Sequence, residues 1–287
     1  MRKKPSKLLI GMHVSISGSL DNSVDNARKL GCTAFQIFTR NPRGWKARPL
    51  TIKEVASFRA KIKLVEMDKC PIFAHMPYPP NFSLPEKISF QKSIQSLIQE
   101  TKRCGKLGIP YLVAHLGSHR GVGATKGVET VVEAFCRAAR ETPDNVTILL
   151  ENSSGGKHSV GSNFEELKEI FSQLKPMKRF GICFDTCHAF AAGYEIQTTS
   201  QAKKTWNKFV NLLGVKNIKL IHLNDSQGKI GCGIDLHEHI GLGQIGKSGL
   251  EYFTKFAKSN NIPIILETPI DERRDDTENL LIVKKMF

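Results

Sequence analysis

Residues 180–188 read FGICFDTCH. An apolar run ends on a carboxylate, Asp185, and His188 follows three residues later. The pattern repeats outward in both directions. PIFAH ends on His75, YLVAH on His115, TILLE on Glu151 and PIILE on Glu267, while KLIHL carries His222. The intervals between these six residues run from 34 to 45 positions, and each interval holds one helical pattern. That is the rhythm of β-strand–helix units, which throw every strand-terminal side chain to the same end of a parallel sheet. Two further runs, LLIGMHVS from Leu8 and TAFQIFTR from Thr33, come before them. All the runs are nearly continuous rather than alternating, as a parallel sheet covered on both faces requires.

The gaps read as helices. Asp21 to Leu30 closes at Gly31, a C′ glycine. Thr51 opens a capping box that Glu54 closes, and Ser162 with Glu165 reads as a second. Apolar residues at Phe164, Leu167, Ile170, Phe171 and Leu174 form a helical stripe. Similar stripes run through 90–107, 128–139, 202–213, 250–257 and 277–285. Eight strands alternating with eight helices predict an α/β fold, a (β/α)8 TIM barrel, as one domain over residues 1–287. The competing doubly wound sheet does not bring eight strand ends around one centre. Chemistry in such barrels sits at the C-terminal strand ends. Those ends carry His13, Arg40, His75, His115, Glu151, Asp185, His222 and Glu267, and the loops beyond add His188, Asp235 and His237.

Composition sets the class. No run reaches the length of a membrane span, and no low-complexity tract interrupts the chain. The basic start, MRKKPSK, reads as a solvated tail entering the first strand rather than a signal peptide. Seven scattered cysteines without a framework point to a reducing cytoplasm. The formal net charge of +15 points to a polyanion such as nucleic acid, and the sequence has no basic amphipathic helix to suit an anionic lipid surface.

Five histidines and four carboxylates are too many for one zinc ion, which takes three or four ligands. They suit two or three ions sharing a bridging carboxylate. Glu151, between the ligands of the fourth and sixth strands, is the natural bridge. A D-x-H loop at Asp235 and His237, meeting D-x-x-H at Asp185 and His188, builds a separate third site. His13 reads either as a ligand or as a hydrogen-bonding neighbour of one. His119 reads as a phosphate-binding loop residue or as plainly exposed, and His158 and His239 as solvated or as neighbours of ligands. Two loops look suited to DNA. FTRNPRGW offers Arg40, Arg43 and Trp45, and HMPYPPN offers Tyr78 on a proline-stiffened turn. Basic groups grip phosphates, and a ring can fill a gap in a base stack.

These stretches together resemble endonuclease IV, the zinc-dependent apurinic/apyrimidinic endonuclease family. The resemblance runs from IGMHVS to ILETP. It is carried by HMPYPPN (His75, Tyr78, Asn81), GICFDTCHAFAAGY at 181–194, and HLNDSQ followed by DLHEHIGLGQIG. FTRNPRGW, HLGSH and LLEN add to it. Two positions depart from it: Pro79 follows the loop tyrosine where the family often has another apolar residue, and Leu242 stands where the family often has Glu. The resemblance implies three zinc ions; the sequence does not fix the metal, and manganese or iron could replace a zinc. His75, His115 and Glu151 would hold the first, Glu151, Asp185, His222 and Glu267 the second, and His188, Asp235 and His237 the third. It implies Glu151 and Glu267 as catalytic carboxylates, with Glu267 orienting or deprotonating the attacking water. Arg40, Arg43, Trp45, Tyr78 and His119 would contact DNA. The implied reaction is hydrolysis of the phosphodiester 5′ to an abasic site in duplex DNA. It leaves a 3′-hydroxyl and a 5′-deoxyribose phosphate, with 3′-end trimming alongside. The expected protein is a cytoplasmic, nucleoid-associated monomer. The alternative is a metal-dependent sugar-phosphate isomerase or epimerase on the same barrel.

Overall fold

The computed structural model describes residues 8–287. The basic start, read above as a solvated tail, lies outside the described residues. Eight parallel strands form one sheet: β1 (Ile10–Met12), β2 (Phe35–Phe38), β3 (Ile72–His75), β4 (Tyr111–Ala114), β5 (Thr147–Glu151), β6 (Phe180–Asp185), β7 (Ile218–His222) and β10 (Ile264–Leu266). Strands β1 and β10 pair, and a parallel bridge between His13 and Gln36 brings β1 back to β2, so the sheet closes into a (β/α)8 barrel. All eight strands lie where the apolar runs predict them. A two-residue ribbon, β8 (Asp225–Ser226) with β9 (His237–Glu238), projects beyond β7.

Eight long helices follow the expected stripes: α1 (Asn22–Lys29), α2 (Ile52–Leu64), α3 (Lys87–Leu107), α4 (Ala124–Glu141), α5 (Phe164–Gln173), α7 (Thr199–Leu213), α8 (Lys247–Asn260) and α9 (Asp276–Lys284). Thr51 and Glu54 form the expected capping box, and Gly31 takes a positive φ just past α1. The cap of α5 differs from expectation. Asn163, not Ser162, accepts the hydrogen bond from Glu166 N, because the carboxamide reaches the third helical amide from one residue later. A ninth helix, α6 (Thr186–Ala191), is one the stripes do not reveal. No helix among the described residues is long and apolar enough to cross a membrane.

Strand alternation builds the interior. Side chains of period two face alternately into the barrel and out to the helices. Facing out, Phe184 lies 4.7–5.4 Å from the rings of Phe209, Trp206 and Phe253. Facing in, Ala34, Phe73, Val113, Leu149, Cys183, Leu220 and Ile265 form a separate apolar cluster. Gly11 supplies the β1 position, where a Cβ would meet Ala34 O at 1.7 Å. Two residues on from each member of this layer come His13, Gln36, His75, His115, Glu151, Asp185, His222 and Glu267. The strand period that packs the floor therefore also sets the polar ring above it.

Candidate metal centre

Glu151 is the centre of that ring and is fully buried. Its Oε2 lies 3.1 Å from His75 Nε2 and 3.6 Å from His115 Nε2, and its Oε1 lies 2.8 Å from His222 Nδ1. His222 Nδ1 is also 3.2 Å from Glu267 Oε2 and 3.8 Å from Asp185 Oδ2. Beyond Asp185, His188 Nε2 and His237 Nε2 each stand 3.1 Å from an oxygen of Asp235. Groups whose donor atoms lie within 4.8 Å of one another include His75, His115 and Glu151; Glu151, Asp185, His222 and Glu267; and Asp185, His188 and His237, and two more bring in Cys183 and Cys187. Asp235 adjoins the group of Asp185, His188 and His237. All nine sequence-derived candidate ligands converge here, with Glu151 common to the first two groups.

Local folding explains the outer pair. Asp185 ends β6 and caps α6, where its Oδ1 accepts from His188 N at 2.8 Å. Capping fixes the three-residue spacing, so both side chains enter the same space. Asn152 holds the Asp185 backbone from both sides, and Asn224 Nδ2 donates to Asp185 Oδ2 at 2.8 Å. Asp225 organises the D-x-H loop. Its buried carboxylate accepts from the amides of Ser226, Gly241, Gly243, Ile245 and Gly246.

These residues fit divalent cations. Ligand atoms about 2.0–2.1 Å from one tetrahedral zinc stand roughly 3.3 Å apart, and the measured separations bracket that value. Three of the histidines have their other ring nitrogen tied to a backbone carbonyl. His75 Nδ1 donates to Met76 O at 2.8 Å, His188 Nδ1 to Asn152 O at 2.9 Å and His237 Nδ1 to Glu267 O at 2.9 Å. Each such bond leaves Nε2 to face the centre. The Nε2 atoms of His188 and His237 are buried and have no hydrogen bond of their own, although Asp235 is near.

Electrostatics match. Burial alone would raise the Glu151 carboxyl, but His115, His222 and His75 hold it well below the usual carboxylate range. Burial opposes protonation of His188, yet Asp185, Asp235 and Glu151 push it well above an ordinary imidazole. Burial also opposes protonation of His237, which Asp235, Asp185 and Glu267 push up to about 9. At His115 and His13 burial wins, and both drop below the ordinary value. Ionised carboxylates this deeply buried require positive charge beside them, from protons or from metal.

A cavity of about 540 Å³ opens over the centre. Arg43, Pro42 and Tyr78 line one part of its rim, and Ile16 and Ile270 come from the adjoining loops after β1 and β10. Tyr78 is 65% exposed, and its amide donates to Pro42 O, tying the two loops together. Arg40 corrects the sequence reading. It is buried, its guanidinium bonding Glu100, Ser96 and Gly44 O beneath the loop rather than facing the cavity. The β2 contribution to the polar ring is Gln36, which sequence reasoning passed over. Its signal was a carboxamide in an apolar strand, two residues past Ala34. Trp45 does not line the cavity; Lys92 stands over its ring at 4.4 Å. His119 also lies away from it, its Nδ1 accepting from Gly121 N and Gly123 N. His13 lines it, its Nδ1 2.8 Å from Glu267 Oε1. His239 is fully buried, bonded to Asp271 and Asn279. The charged segment IDERRDD is an ion-paired latch, with Arg273 bridging Asp271 and Glu238 and Asp275 capping α9.

A (β/α)8 barrel whose inward strand ends and the loops beyond them gather nine side chains of metal-ligand type defines a metal-dependent barrel protein. The family described as xylose isomerase-like TIM barrel, AP endonuclease family 2, matches residues 24–284. A probable endonuclease 4 from Nitrosopumilus maritimus is 51% identical over 96% of this chain and 99% of its own length. An apurinic-apyrimidinic endonuclease 1 from Plasmodium berghei is 39% identical over 93% of this chain and 52% of its own. Among solved structures, endonuclease IV from Thermus thermophilus superposes with a TM-score of 0.86 at 33% identity, covering 96% of this chain and 98% of that one. The chain belongs to the endonuclease IV family.

Proposed function

We propose that this protein is a DNA-repair endonuclease that hydrolyses the phosphodiester 5′ to an abasic site in duplex DNA. It leaves a 3′-hydroxyl and a 5′-deoxyribose phosphate. The observation that carries the reading is the nine-residue centre, in which His75, His188 and His237 have one ring nitrogen tied back and the other turned inward. The relatives named as endonuclease 4 and as an apurinic-apyrimidinic endonuclease support the substrate.

Three zinc ions fit the donor sets: His75, His115 and Glu151; Glu151, Asp185, His222 and Glu267; and His188, Asp235 and His237, with Asp185 adjoining the last. Bound there, zinc would supply Lewis acidity toward the phosphodiester and would lower the pKa of a water. The chain does the rest. Glu267, which lines the cavity, would orient or deprotonate the attacking water. Arg43 and Tyr78, exposed at the lip, grip the backbone and fill the gap in the stack while the abasic nucleotide enters. The barrel floor of Phe73, Val113 and Leu149 keeps bulk water from beneath the reacting phosphate. The net charge of +15 supports a polyanionic partner. The protein acts as a monomer in the cytoplasm, at the nucleoid.

The test is incision of a duplex carrying one abasic site, beside an intact duplex, before and after chelation. Cutting confined to the abasic strand, lost on chelation and restored by zinc, is the expected result. Interconversion of a ketose or aldose phosphate without incision would establish the isomerase reading instead.

A further inference from the structure

Carbonyl bonds hold three of the five histidine ligands, and His115 and His222 stand outside that set. His222 faces the centre through Nδ1, the reverse of the three histidines held by carbonyls. Its Nε2 lies 2.9 Å from Gln36 Oε1. The other end of the same carboxamide, Gln36 Nε2, donates to Glu267 Oε1 at 2.7 Å and stands 3.0 Å from His13 Nδ1. The amide has one workable orientation. Turned over, it would set its oxygen against a carboxylate oxygen and its NH2 against the His222 Nε2–H. As placed, Gln36 Oε1 accepts the Nε2 proton of His222, leaving Nδ1 as the lone-pair atom. Glu267 Oε1 accepts from Gln36 and from His13 Nδ1, leaving Oε2, which lies 3.2 Å from His222 Nδ1. Gln36 is fully buried in the middle of β2, so neither bond competes with water.

Resting on the metal-centre reading above, we propose that Gln36 is a positioning residue that selects the ligating atom of both His222 and Glu267 and so builds the four-residue central metal site. A single amide sets two of its four ligands. Glu151 and Asp185 are tied elsewhere: Asp185 by Asn152 and Asn224, and Glu151 by the imidazoles around it. Losing Gln36 therefore affects the central ion and spares the other two. The sequence supports a positional role, since Gln36 occupies the ring position of β2 that no metal-ligand residue fills.

Gln36→Met keeps the length and removes both hydrogen bonds. Outer partners of this kind are worth about 10–100-fold in metal affinity or activity. Stepwise zinc removal with a chelator, read by mass spectrometry, should show one of three ions lost 10–100-fold more readily than in wild type. The ¹⁵N spectrum of the zinc-loaded protein should show the His222 ring losing its defined Nε2–H tautomer. Gln36→Glu is the companion. It keeps an acceptor for His222 but opposes Glu267, so the tautomer signal should persist while incision falls. It also preserves a hydrogen-bonded strand should the Met variant fail to fold. Wild-type zinc retention and an unchanged His222 spectrum in Gln36→Met, or in Gln36→Glu wild-type incision, would overturn the proposal. Failure of the wild-type chain itself to hold zinc would instead overturn the metal-centre reading.

Discussion

Glu151→Gln tests the bridge. The substitution keeps volume and the capacity to accept hydrogen bonds but removes a charge that is fully buried and shared by two donor groups. An imidazole stands on each side: His75 Nε2 at 3.1 Å from one oxygen and His222 Nδ1 at 2.8 Å from the other. A unit charge against an opposite one at about 3 Å is worth about 5 kcal/mol at an effective dielectric near 20. The cations that would occupy these positions face the same carboxylate, so a comparable amount of stabilisation is lost at the reacting phosphate. At 1.36 kcal/mol per decade, that is roughly four orders of magnitude in incision rate. If Arg43, Tyr78 and the basic surface carry the binding of abasic duplex, as proposed, it should fall much less. Single-turnover incision and anisotropy binding on the same oligonucleotide separate the two effects. Cutting within tenfold of wild type would refute the bridge.

Three other predictions concern the surroundings of the centre. Tyr78→Ala and Arg43→Ala should weaken abasic-duplex binding and incision with bound metal unchanged, and less so on a flexible 3′-terminal substrate; equal losses on both substrates would place these residues in metal support. Affinity for DNA should fall with salt at a log–log slope of roughly −0.9 per phosphate neutralised, measured by anisotropy, and a flat response would put the positive charge away from the DNA. Asp225→Ala strands the loop amides of Gly241, Gly243 and Ile245 and should cost about 3–5 kcal/mol in urea unfolding; a loss under 1 kcal/mol would show that the loop does not depend on that carboxylate.

The ligand ring was legible because it follows from strand period and chain order. His75, His115, Glu151, Asp185, His222 and Glu267 each end or closely follow an apolar run, and parallel strands send those ends to one side. Which of Arg40 and Arg43 faces the cavity was not legible. Whether Arg40 or Arg43 reaches the cavity depends on Glu100, sixty positions away on α3, whose buried carboxylate takes the Arg40 guanidinium. Gln36 escaped because a glutamine is not a metal-ligand residue type, although its register matches the rest of the ring. Helix α6 escaped because six residues, all buried, carry no amphipathic stripe. The latch in IDERRDD could not be read from sequence, since Glu238 and His239 reach it only through the fold.

Counting the bound ions tests most directly whether the nine side chains hold three of them. Native mass spectrometry of the purified, active chain, paired with elemental analysis, gives the number per polypeptide. About three divalent ions per chain is the predicted value, given three to four ligands each with sharing. An active, folded protein that reproducibly carries one ion or none would contradict it.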